Sequence, residues 1–210
     1  MTITIQQNDT TDTHSIYTVN FFNCPIITTV TNVGSVVESW LSDIYRIHSR
    51  RLAHLIVGLD IEWRPIFQRN ATSRVALLQL CVGRRCLIFQ LIYADCIPQS
   101  LRNFLLDQNF RFVGVGIEED VEKLLEDYEL SVANPVDLRL MAAEKLDAIE
   151  LRRAGLKNLA SATLGLEVVK PKRVTMSRWD SSWLSFEQVQ YACVDAHLSF
   201  EIGKYLILMN

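Results

Sequence analysis

Residues 55–63 read LIVGLDIEW, an apolar run that takes in Asp60 and Glu62 and resumes at Trp63. Within the wider segment 54–63 the branched and aromatic residues make a strand, and its apolar character makes that strand a buried one. Side chains two positions apart on a strand share a face, so both carboxylates point the same way. Ionised groups this close repel, and burying them unpaired is costly. For a lone D-x-E, arginines at a strand end are the ordinary remedy. A divalent cation is the other, and hard carboxylate oxygens suit Mg2+ or Mn2+.

Two further acids favour the cation. Asp120 follows the strand 111–116 and a glycine-bearing turn, close to a strand end where open sheets build sites. Taken alone it is also an ordinary first-turn acid, as Glu118 and Glu119 are. Asp195 lies in YACVDAHLSF, four residues after Tyr191, so the two share a helix face. Val194, Leu198 and Ile202 take the core side, and His197 faces elsewhere. Three aspartates and one glutamate from two strand regions and two helices can hold two cations. Such a pair clamps the attacking and leaving oxygens of a phosphoryl displacement. Tyr191 is placed to orient the attacking water or help take its proton.

Outward from this strand the pattern is consistent. Strands are expected at 16–22 and 26–31, then a helix over 33–51 with apolar residues at helical spacing. After a polar loop at 64–74, strands at 75–83 and 85–91 form a hairpin around Gly83. Helices follow at 98–108 and 117–130. A short extended piece at 135 turns helical, and a short helix at 156–165 is stopped by Gly165. A basic loop covers 168–182, and a final helix at 185–208 opens with Ser185 and Gln188 in capping-box register. Early antiparallel strands followed by strand–helix alternation imply a mixed α/β sheet with helices on its faces. With 210 residues, 49% hydrophobic and 21% charged, the chain supports one sizeable core. Residues 1–15 read as a polar lead and 16–210 as a single domain.

Net charge is −3 and the pI about 5.8, so the whole chain offers no field for polyanions. Nucleic-acid contact is therefore expected from a local patch. The loop 170–178, KPKRVTMSR, supplies Lys170, Lys172, Arg173 and Arg178 beside the helix bearing Tyr191. Backbone phosphate contacts of this kind carry little base specificity. Trp63 is expected to pack beside a terminal nucleotide or to close the core, and Trp179 and Trp183 to anchor the basic loop. No apolar run reaches membrane-spanning length. The first residues lack a secretory pattern, and the five cysteines are odd in number with no CxxC pair. Together these points predict an intracellular protein, nuclear or cytoplasmic, whose thiols are free and buried. A mean hydropathy of +0.13 points to a homo-oligomer. No P-loop is present, so unwinding is not encoded.

The segments VGLDIEW, VALLQLCVG, FVGVGIEEDVEKLLEDY, LKNLASATLGL and YACVDAHLSF occur in one order along the chain. In them the sequence resembles the Werner-syndrome-type 3′–5′ exonuclease domain, a DEDDy branch of the DnaQ-like, ribonuclease H-like superfamily. The likeness covers residues 16–208 and is greatest to the plant Werner-exonuclease-like proteins. It implies a ribonuclease H-like five-stranded mixed sheet flanked by helices, with extra N-terminal strands. It implies that Asp60, Glu62, Asp120 and Asp195 ligate two divalent cations, Mg2+ or Mn2+, and that Tyr191 is the tyrosine defining the branch. It also implies release of nucleotide monophosphates from the 3′ end of DNA or RNA. Two positions depart from the pattern. Glu119 stands where relatives often carry a small residue, and Glu122 where an aromatic side chain approaches the terminal base. They motivate an alternative, a nuclease-derived binding or assembly module of low activity.

Overall fold

The strand that carries Asp60 and Glu62 lies inside a single mixed sheet. The computed structural model describes residues 3–65, 73–169 and 171–209. Its strands are β1 (Thr4–Thr10), β2 (His14–Phe21), β3 (Cys24–Thr31), β4 (Ile56–Trp63), β5 (Val75–Val82), β6 (Arg85–Phe89), β7 (Arg111–Gly114) and β8 (Pro135–Asp137). They order as β1-β2-β3-β6-β5-β4-β7-β8. The segment β6-β5-β4-β7-β8 is the five-stranded ribonuclease H-like core. Within it β5 runs antiparallel to both β6 and β4, and β4, β7 and β8 run parallel. The antiparallel β1–β3 meander extends this core through a parallel β3–β6 pairing.

β1 is the strand that the sequence hides. It falls in the polar lead, and all its residues are exposed except a half-buried Ile5. Without an apolar face it has no alternation to read. It is held as an edge strand by its backbone ladder to β2. β5 is the opposite case: every residue is buried, because helices cover both faces of the sheet.

The helices are α1 (Gly34–Ile47), α2 (Gln99–Leu105), α3 (Ile117–Tyr128), α4 (Leu138–Lys145), α5 (Leu156–Leu164), α6 (Lys172–Thr175) and α7 (Phe186–Leu208). One core, under α1, α2 and α3, gathers Trp40, Leu41, Phe104, Phe112 and Leu124. The other, under α4, α5 and α7, gathers Leu77, Leu138, Leu159, Leu198 and Ile202. α7 starts at the expected capping box: the Gln188 amide donates to Ser185 Oγ at 3.2 Å, and the Ser185 amide donates to Gln188 Oε1 at 3.0 Å. Gly165 takes the left-handed conformation (φ 66°) that ends α5. α6 lies within the expected basic loop. It opens after Pro171 and buries Val174, which gives the loop a fixed inner face.

All five cysteines are free thiols. Cys81 and Cys86 face each other across the β5–β6 hairpin as small buried side chains. Among the described residues no helix is long and apolar enough to cross a membrane.

Candidate active site

Three of the four expected acids meet at one point. Asp60 and Glu62, from one face of β4, and Asp195, from α7, place ligand oxygens within 4.8 Å of one another. Asp195 is buried, and the other two are half-buried. The Asp60 carboxylate is steadied by the Ile61 amide, which donates to Oδ1 at 3.0 Å. The β4–β5 register shifts between Glu62 and Trp63. Such an irregularity re-aims the side chains beyond it, and Trp63 here stands 39% exposed. Gln79, the cross-strand partner of Asp60, is fully buried, yet its amide finds no hydrogen-bond partner among the described residues.

Asp120 is not among the three acids within 4.8 Å of one another, but it lines the same cleft as Asp60 and Glu62. Gly116 adopts φ 74° as the N-cap of α3, which turns the chain sharply from β7 and sets Asp120 in the first helical turn. Asp120 is 8% exposed. Burial, and after it the charges of Asp60, Glu119 and Asp137, push its pKa up to about 8, against a smaller opposing pull from Arg139. Without a cation, this carboxyl therefore keeps its proton at neutral pH. Hard carboxylate oxygens gathered in a partly buried group, beside a carboxyl whose pKa its neighbours raise, fit a site for divalent metal. Asp60, Glu62, Asp120 and Asp195 are the residues that would hold it.

A cleft of about 440 Å3 opens beside these acids, lined by Asp60, Glu62, Trp63, Glu119, Asp120 and Met176, with Thr175 and Arg139 at its wall. That volume is in the range that accepts a nucleotide. Lys123 stands 5.9 Å from the centre of the Trp63 ring. Tyr191 and Asp195 line not this cleft but a smaller cavity of about 100 Å3 against Val174. The Tyr191 hydroxyl is 3.2 Å from Thr175 Oγ1, which donates to it. Its ring packs on the buried Trp179 at 5.7 Å.

The basic loop divides. Lys170 lies outside the described residues, and Lys172 is exposed on α6. Arg173 forms a two-pronged pair with Glu187, and Arg178 lies 3.7 Å from Asp180. Trp179 is the anchor, with its indole donating to the Thr175 carbonyl at 3.1 Å. Trp183 is not: it is 78% exposed. His197 is a core residue, edge-on to Phe21 and 2% exposed. Glu119 stands on the cleft rim, whereas Glu122 is exposed on α3 away from the cleft lining.

Sequence reasoning passed over Asp137 and Arg139. Asp137 ends β8 and caps α4, accepting from the Arg139 amide at 2.7 Å. The signal was a polar D-x-R at a strand-to-helix junction, which reads as an ordinary cap.

Residues 39–209 match the family model described as 3′–5′ exonuclease. An Arabidopsis thaliana 3′–5′ exonuclease is 36% identical over 71% of this chain and 52% of its own length. The mouse bifunctional 3′–5′ exonuclease/ATP-dependent helicase WRN is 36% identical over 72% of this chain and 11% of its own length. The chain thus spans about half of the first relative and a small part of the second. The crystal structure of the EXD2 exonuclease domain soaked in Mn superposes with a TM-score of 0.51 at 26% identity, covering 86% of this chain and 89% of that one. Escherichia coli RNase D shares the fold with a TM-score of 0.70 at 17% identity, over 86% of this chain and 44% of that one. β1 to β3 precede the segment that the family model matches. This chain belongs to the 3′–5′ exonuclease family.

Proposed function

We propose that the protein is a metal-dependent exonuclease that removes nucleotide monophosphates from the 3′ end of DNA or RNA. The observation that carries this reading is the meeting of Asp60, Glu62 and Asp195 within 4.8 Å, beside an Asp120 whose pKa is pushed up to about 8. Two cations, Mg2+ or Mn2+, fit these four ligands. When bound they supply a nucleophile at neutral pH and neutralise charge on the leaving oxygen. The solved EXD2 domain soaked in Mn supports that choice of ion.

The chain's own residues have separable parts. Asp60, Glu62, Asp120 and Asp195 bind the ions. Tyr191, held by Thr175 and Trp179, orients the attacking water from a rigid helix. Trp63 and Met176 give the cleft apolar walls on which a terminal base can rest, and Lys123 adds charge near the Trp63 ring. Lys172, Arg173 and Arg178 are exposed on the basic loop for the incoming strand, the two arginines also facing Glu187 and Asp180; Lys170 completes the set named from the sequence. Five free thiols, of which Cys81, Cys86 and Cys193 are buried while Cys24 is half-buried and Cys96 exposed against the sequence expectation, suit a reducing intracellular compartment.

The test is an oligonucleotide labelled at either end, incubated with Mg2+ or Mn2+. A 3′ label is expected to leave as a mononucleotide at once, and a 5′ label to walk down a ladder. Endonucleolytic fragments or no turnover would defeat the reading. Parallel single-stranded, recessed-duplex and RNA substrates resolve the preference.

A second reading, a binding or assembly module with little activity, draws on the carboxylates that engage Arg173 and Arg178 and on Glu119 at the rim. It predicts oligonucleotide or protein binding without metal-dependent turnover.

A further inference from the structure

The cleft must admit phosphodiester anions, yet Asp60, Glu62, Glu119 and Asp120 line it. Among the described residues of its lining there is one cation, Arg139. That guanidinium is built into the wall. Its Nε donates to both oxygens of Asp137, at 3.1 and 3.0 Å, and its Nη2 to Oδ2 at 2.5 Å. Asp137 is itself fixed. Its carboxylate is buried, caps α4 through the Arg139 amide and accepts from the Gly116 amide at 3.2 Å. The guanidinium lies beside Gly116, where an added Cβ would stand 3.4 Å from Nη2, in ordinary van der Waals contact. The Arg139 side chain keeps 31% exposure. A lysine cannot reproduce this arrangement, because the planar fork sets direction as well as charge.

We propose that Arg139 is a substrate-binding residue, receiving a phosphate near the 3′ end of the bound strand, and that Asp137 is the positioning residue that aims it into the acidic cleft. This rests on reading the cleft as the seat of a nucleic-acid 3′ end. A purely structural Arg139 would serve only to offset Glu118, Glu119 and Asp120 in the first turn of α3, and the two roles give different results.

The experiment measures oligonucleotide binding by fluorescence anisotropy, with Ca2+ replacing Mg2+. Two probes are used: an all-phosphodiester strand, and one whose two 3′-terminal linkages are uncharged methylphosphonates. Arg139→Gln is expected to weaken binding of the charged strand by about 10- to 100-fold, the range for a charge-assisted contact. The methylphosphonate strand should bind both proteins alike. Arg139→Lys should fall between, and Asp137→Asn should weaken the charged strand selectively with its helix cap kept. If Arg139→Gln does not fold, the Arg139→Lys comparison decides. Equal losses on both probes, or no loss on either, overturns the proposal. Hydrolysis of the same strands in Mn2+ is scored separately. A wild-type protein that binds selectively through Arg139 but never cleaves would defeat the nuclease reading and leave this assignment standing.

Discussion

A Cβ on Gly58 would stand 2.1 Å from the Ala196 carbonyl oxygen and 2.7 Å from the Phe200 amide nitrogen, so β4 and α7 meet backbone to backbone. Gly58 lies two residues before Asp60, and Ala196 directly follows Asp195. The contact that brings sheet and helix together therefore also sets the distance between the acids they carry. Gly203 makes a similar close approach to Val113 one strand over, 2.7 Å for its added Cβ.

Gly58→Ala is expected to push α7 from β4, because the obstructing atoms are backbone. Overpacking of this kind costs about 3 kcal/mol, read by urea or thermal unfolding. Manganese affinity should fall with it by roughly tenfold or more, as for other changes behind a metal ligand. An unchanged melting curve with unchanged affinity would refute the packing argument.

Asp120 makes metal-free stability depend on pH. Its folded pKa, about 8, lies above the usual carboxylate value near 4. The native state therefore holds a proton that the unfolded chain has already released. That contribution is fully present below about pH 4 and fades as pH rises through 8, by at most about 1.4 kcal/mol per pH unit. In EDTA, Asp120→Asn should gain on wild type steadily from pH 5 to pH 8, as measured by thermal melts. Parallel pH profiles for the two proteins would contradict this.

How much was visible in the sequence follows from which interactions are local. Asp60 with Glu62, and Tyr191 with Asp195, are fixed by the strand and helix repeats, so their shared faces could be read directly. Asp120 could be placed because Gly116 marks the turn before it. By contrast, the Arg173–Glu187 pair spans 14 residues and depends on how α6 lies against α7. The Asp137–Gly116 bond joins residues 21 apart in sequence. Neither pairing has a periodic signature. β1 escaped for a related reason: an exposed edge strand is held by its backbone and needs no apolar pattern. Trp183 shows the reverse error, an aromatic residue taken for an anchor that the fold leaves in solvent.

Tyr191→Phe removes the hydroxyl that Thr175 meets at 3.2 Å and leaves the ring on Trp179. Turnover should fall by on the order of 100-fold with little change in KM, the signature of a proton-handling or water-orienting group. A KM effect at constant kcat would instead assign the phenol to binding.

Trp63→Ala should act the other way. A base resting on an exposed aromatic contributes roughly 1–3 kcal/mol, so KM for short oligonucleotides should rise about tenfold or more with a smaller change in kcat. Loss of folding stability without that KM shift would make Trp63 a packing residue only.

The most direct test of the account is anomalous diffraction from crystals soaked in Mn2+, with Asp195→Asn as the comparison. Two peaks are expected in wild type, within coordinating distance of Asp60, Glu62, Asp120 and Asp195, with at least one lost in the variant. Wild-type crystals with these four side chains turned apart and no manganese between them would contradict it.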